Sequence, residues 1–141
     1  MIKIYLSGHV GEIKYREYTK QRYSEQFELR DPLEEVEQRK INPKELVIFR
    51  QLGFATASKL VINEIVEGDI ELLNSCNCLV AIMNVYSAGT IMEIRIAYDN
   101  DLPVYVIDQS NRFRGDVWIK YHTNVFFNSV DDCFDFLIDT Y

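Results

Sequence analysis

The chain has 141 residues, 48% of them hydrophobic and 13% aromatic, enough apolar material for one domain with a substantial core. Fifteen Lys and Arg against 22 Asp and Glu give a net charge of −7, which disfavours polymeric nucleic acid as a partner but not a small phosphorylated ligand held by a few local donors. No apolar run reaches membrane-spanning length, the opening M-I-K-I-Y-L-S-G turns polar too soon for a secretory leader, and Cys76, Cys78 and Cys133 fit no zinc spacing with His9 or His122.

An odd number of cysteines without a metal pattern predicts buried free thiols in a reducing compartment, so the expected location is cytoplasmic. In chain order, Ile2 to Ser7 reads as a strand running into Gly8-His9. A strand that ends in glycine is where an α/β fold lets a ligand approach the backbone, although a plain βα turn reads the same way. Ile13 to Gln26 carries Tyr15, Tyr18, Arg22 and Tyr23 near helical spacing, and Phe27 to Arg30 reads as a second strand closed by Asp31-Pro32. Glu34 to Lys40 is charged and suits a surface helix or a mobile segment. Asn42-Pro43 is a helix start, with Asn42 as cap and Pro43 in the first position, and Gly53 ends that helix.

Thr56 or Ser58 opens the next helix, which runs towards Asn74 with Val61, Ile65, Leu72 and Leu73 on one face. Asp69 falls on that face, where the pattern asks for an apolar residue; alternatively Gly68 breaks the helix and Asp69 caps a new one. Leu79 to Met83 has the length and composition of a buried strand. Ser87, Ala88 and Gly89 form a small-residue turn, and Thr90 caps or opens the following helix, which puts Glu93 in its first turn. Glu93 shares a face with Gly89, Ile96 and Ala97. It is either an ordinary helix-start carboxylate or a site residue.

Asp101-Leu102-Pro103 is a turn, and V-Y-V-I at 104–107 is a strand buried on both faces. A polar loop from Asp108 to Gly115 leads to Trp118–His122, a short helix or ordered loop. Val125 to Phe127 makes a fifth strand, and Val130 to Ile138 a closing helix begun at Asp131 or Ser129. Strands alternating with helices predict a single α/β domain over residues 1–141. The expected architecture is a flavodoxin-like three-layer sandwich whose five-stranded parallel sheet has the order 2-1-3-4-5. A ligand would then lie beyond the ends of the first and third strands, at Ser7-Gly8-His9 and Asn84 to Thr90.

These segments resemble the nucleoside 2-deoxyribosyltransferase superfamily. The resemblance is carried by Tyr5-Leu-Ser-Gly8, by Asp69-Ile-Glu-Leu-Leu, by Cys76 to Met83, and by Ser87-Ala-Gly-Thr-Ile-Met-Glu93-Ile-Arg-Ile-Ala97, with Glu93 following Asp69 by 24 residues. It implies that Glu93 attacks C1′ of a deoxyribosyl group, that Asp69 helps protonate the departing base, and that Tyr5 stands near the sugar and the catalytic carboxylate. Gly8 and Gly89 would allow close backbone contact. The residue six before the glutamate is often Asp in transferases acting on free nucleosides and Ser in relatives that hydrolyse nucleoside 5′-monophosphates. Here it is Ser87. A carboxylate beside a phosphate dianion is repelled, whereas a hydroxyl donates a hydrogen bond and the amides of Gly89 and Thr90 suit an anion.

Two features depart from the hydrolase pattern. His9 stands where those hydrolases commonly have Ser, though an imidazole can also bond a phosphate. Asn124 corresponds to an Asn that in transferases enters the neighbouring subunit's site, which implies a homodimer or larger assembly. The expected activity is therefore cleavage of a (deoxy)nucleoside 5′-monophosphate to free base, with base exchange between deoxynucleosides as the alternative. The reading requires no cofactor and no metal. A non-catalytic nucleotide-binding module would have no reason to keep both Asp69 and Glu93.

Overall fold

The computed structural model describes residues 1–35 and 41–141. Five strands, β1 (Lys3–Gly8), β2 (Glu28–Arg30), β3 (Cys78–Ile82), β4 (Val104–Ile107) and β5 (Val125–Phe127), form one all-parallel sheet in the order β2-β1-β3-β4-β5. The register pairs Ile4 with Leu29 on one side and with Cys78 on the other. This is the expected flavodoxin-like α/β architecture. The chain reverses direction across the sheet between β1 and β3, which opens a crevice beyond their carboxyl ends.

Among the described residues six helices fill the connections: α1 (Ile13–Tyr23), α2 (Pro43–Leu52), α3 (Lys59–Asn74), α4 (Ala88–Asp99), α5 (Val117–His122) and α6 (Val130–Thr140). Strand alternation divides the core in two. Ile4, Leu6, Val80 and Ile82 point with Tyr23 of α1 and Phe134 and Leu137 of α6 to one side. Tyr5, Leu79, Ala81 and Met83 point with Leu73 of α3 and Ile94 and Ala97 of α4 to the other. Residues 5 and 7 of β1 thus share the face covered by α3 and α4, which places both beneath the crevice.

Helix starts follow local chemistry. Asn42, Ser58, Asp116 and Ser129 each accept a backbone N–H of the following turn, and Pro43 occupies the first position of α2. Of the paired expectations, Ser58 and Ser129 are the caps. Helix α3 runs through Gly68 without a break, so Asp69 sits inside a helix and caps nothing. Helix α1 ends at Tyr23, three residues before Gln26. The cap of α4 is Ser87, not Thr90, because the Ser87 side chain accepts the Thr90 N–H. Glu93 therefore lies in the second turn, beyond the reach of helix-start electrostatics, and the ordinary capping explanation for it falls away. The expectation for Glu34–Lys40 lies, from residue 36 on, outside the described residues.

All three cysteines are buried and free. Among the described residues no helix is long and apolar enough to cross a membrane.

Candidate active site

Helix α4 starts at the end of the β3 connection, and its second turn passes over β1. Glu93 consequently meets the inward residues of that strand. The Tyr5 hydroxyl donates to Glu93 Oε2, and the Ser7 hydroxyl donates to Glu93 Oε1 at 2.8 Å. Tyr5 and Ser7 are fully buried. Ser7 also lies 3.1 Å from Thr90 Oγ1, and the Thr90 hydroxyl donates to Ser87 Oγ at 3.1 Å. A line of hydroxyls thus joins the carboxylate to the helix cap.

Burial pushes the Glu93 carboxyl up from an ordinary 4.5 to about 7. The bonds from Tyr5 and Ser7 oppose that rise, the Asp69 charge adds to it, and Arg16 opposes it. At neutral pH the group is poised between its two forms, as an acid or nucleophile needs to be. The shift also has a stability consequence. A carboxyl whose folded pKa is raised contributes fully below about 4.5 and loses that contribution as pH climbs through about 7. Glu93→Gln mimics the neutral form, so it should gain up to about 3 kcal/mol relative to the parent between pH 5 and pH 8. Thermal melts of both proteins at the two pH values check this: the variant should melt several degrees higher at pH 8, with little difference at pH 5.

A cavity of about 270 Å³ opens over Glu93 and is lined by Gly8, His9, Ser87, Gly89, Thr90, Asp69 and Glu93. Seven of the nine expected site residues therefore share one cavity, and Tyr5 holds Glu93 from behind it. Asp69 reaches it from α3, one helical turn after Ile65, which also lines it. Gly8 earns its place in the sheet itself, since a Cβ there would stand 2.9 Å from the Ile82 carbonyl oxygen. A Cβ on Gly89 would meet nothing within 4 Å, so that position leaves open space at the start of α4. The first-turn amides of a helix have no partner within the helix. The Thr90 amide is taken by Ser87 Oγ at 3.3 Å. His9 Nδ1 accepts the Gly11 N–H at 2.9 Å, which puts the imidazole proton on Nε2 and makes the neutral ring a donor through that atom.

Asn124 is not brought to this cavity within one chain. It precedes β5 at the opposite end of the sheet, where its side chain accepts the Val104 N–H at 2.8 Å. It lines a separate depression with Tyr98, Asp101, Tyr121 and His122.

Sequence reasoning passed over two groups of site residues. One is Arg16, buried on α1, whose Nη1 donates to Asp31 at 2.8 Å and to the Leu6 carbonyl at 3.0 Å while Nη2 donates to the Gly8 carbonyl at 2.7 Å. This ion pair fixes the end of β1 beneath the cavity. Its signal was faint: an acid before proline, 15 residues from an arginine inside a helix. The other group is Pro32, Leu33, Leu46, Arg50, Phe54 and Ile65, which close the β2 side of the cavity. Five of these lie between residues 31 and 55, where the sequence offers no motif.

Neither a family model nor a curated protein sequence matches the chain. Solved structures do. A conserved protein from Enterococcus faecalis V583 is 20% identical with a TM-score of 0.69, the match covering 100% of this chain and 99% of that one. A 2-deoxyribosyltransferase from Bacillus psychrosaccharolyticus is 16% identical with a TM-score of 0.70, covering 93% and 89%. A CMP N-glycosidase from Clostridium botulinum is 14% identical with a TM-score of 0.58, covering 99% of each chain. The chain thus shares its fold with a 2-deoxyribosyltransferase and with a CMP N-glycosidase.

Proposed function

We propose that this protein cleaves the N-glycosidic bond of a (deoxy)nucleoside 5′-monophosphate, with Glu93 as nucleophile and water as final acceptor. The observation that carries the reading is the Glu93 carboxylate, held by the Tyr5 and Ser7 hydroxyls in a cavity that also contains Asp69 and a helix start. Ionised Glu93 attacks C1′ as the C1′–N bond breaks, and Asp69 supplies or relays the proton that the departing base takes up. The resulting glycosyl ester is then opened by water at the same carbon, with a carboxylate as base. Tyr5 and Ser7 keep the nucleophile in place, and their hydrogen bonds stabilise the carboxylate that is regenerated at the end. The Gly89 amide, the Ser87 hydroxyl and His9 Nε2–H offer the 5′-phosphate its donors.

Base exchange is the second reading, favoured by the likeness to a 2-deoxyribosyltransferase. It differs only in the acceptor of the second step. Incubation with a panel of nucleosides and their 5′-monophosphates, followed by chromatography for released base, separates the two. Base released from monophosphates in water alone supports hydrolysis. Release only from nucleosides, and only when a second base is added, supports exchange.

Shared sites in an assembly are part of this proposal. Trp118 and Tyr121 are 74% and 65% exposed in the single chain, and large aromatics beside polar groups suit an interface between copies. Sedimentation should give at least twice the 16.6 kDa chain mass; a monomer at assay concentration would rule out a role for Asn124 in a neighbour's site.

A further inference from the structure

The cavity has two unlike ends. Strand order puts Ser87, Gly89 and Thr90 beyond β3, Gly8 and His9 beyond β1, and Pro32 and Leu33 beyond β2. The donor-rich end and the apolar end are thus about two strand spacings apart, roughly 10 Å, comparable with the reach of a mononucleotide from phosphate to base. The far end is apolar except for Arg50. Among the described residues the Arg50 guanidinium makes one hydrogen bond, from Nη2 to the Leu33 carbonyl at 3.2 Å, so donors remain for a ligand. Arg16, the other arginine in the wall, is committed to Asp31 and two backbone carbonyls.

Phe54 lines the same cavity as Arg50. Gly53, at φ +89°, ends α2 in a backbone region that other residues rarely enter. The chain turns there, and the Phe54 ring comes to rest 5.5 Å from that of buried Phe49. Backed in this way and still partly exposed, Phe54 offers a planar base a stacking face.

We infer that Arg50 and Phe54 form the base-reading end of the cavity, and that it selects bases presenting two adjacent hydrogen-bond acceptors. Guanine does so with O6 and N7, cytosine with O2 and N3. A guanidinium donates in a fork and accepts nothing, so it satisfies either pair at once. Adenine sets a donor beside N7, and uracil sets N3–H beside O2; each leaves the fork half-paired or facing another donor. The inference rests on the reading of the cavity as a nucleotide site.

Binding and turnover test it separately. Calorimetry with GMP, CMP, AMP and UMP on the Glu93→Gln protein measures base preference without cleavage, and the same titrations on Glu93→Gln with Arg50→Gln measure the contribution of Arg50. GMP or CMP should bind at least ~10-fold more tightly than both AMP and UMP, and Arg50→Gln should remove most of that ratio. Arg50→Lys should restore it only in part, because an ammonium lacks the fork. A ratio unchanged by Arg50→Gln overturns the inference. So does an equal loss for all four monophosphates that spares their nucleosides, since Arg50 would then hold phosphate. Base-selective, Arg50-dependent binding in a protein whose wild type releases no base supports the inference and ends the hydrolase reading instead.

Discussion

Glu93→Gln should lose base release by more than ~100-fold while the protein stays folded, the scale expected when a nucleophile is removed. The amide has the shape of the carboxyl and can still meet the Tyr5 and Ser7 hydroxyls, so the substitution leaves the packing of α4 on β1 in place. What it removes is the charge and the lone pair that attack C1′. The same assignment fixes a pH dependence. Only the ionised form attacks, and the carboxyl sits at about 7, so kcat/KM should rise with pH as one proton leaves through that value. Base release at near wild-type rate from Glu93→Gln would reduce Glu93 to a buried acid with no part in the chemistry.

Ser87→Asp should reverse the choice between a phosphate and a free 5′-hydroxyl. The position is the N-cap of α4, and Asp caps a helix as well as Ser does, so the fold tolerates the change. The cavity tolerates it less. A carboxylate there would face a phosphate of charge near −2, losing well over tenfold in monophosphate kcat/KM, about 1.4 kcal/mol or more. A free nucleoside should be unharmed, because the carboxylate accepts a hydrogen bond from its 5′-hydroxyl. The check is kcat/KM for one nucleoside and its monophosphate with both proteins. An unchanged ratio would mean that phosphate binds away from Ser87.

Much of this was legible because the sheet and the crevice rest on short-range chemistry. Unbroken apolar runs at 79–83 and 104–107 name central strands, and an acid on an apolar helical face, as at Asp69 and Glu93, names a place where burial is opposed. Both acids line the cavity. The cap of α4 was misplaced by three residues because Ser87 and Thr90 are both good caps, and only the backbone shows which hydroxyl accepts and which amide donates. Ser7 was placed at the cleft, and its bond to Glu93 could have been found as well: it shares the period-2 face of Tyr5, and a small hydroxyl on a buried strand needs a partner. Arg16–Asp31 left only the faint signal of an acid before proline and Arg50–Phe54 left none, because each depends on how its helix, α1 or α2, lies across the sheet ends. No local pattern encodes that placement.

The most direct measurement is the anomeric configuration of the product when a nucleoside 5′-monophosphate is cleaved in the presence of methanol, read by proton NMR. Methanol captures the sugar as a methyl glycoside that cannot re-equilibrate. Attack by Glu93 followed by attack of methanol inverts C1′ twice, so the β-nucleotide should give the β-methyl glycoside. The α-methyl glycoside would mean a single displacement at C1′, and would contradict the assignment of Glu93 as the nucleophile.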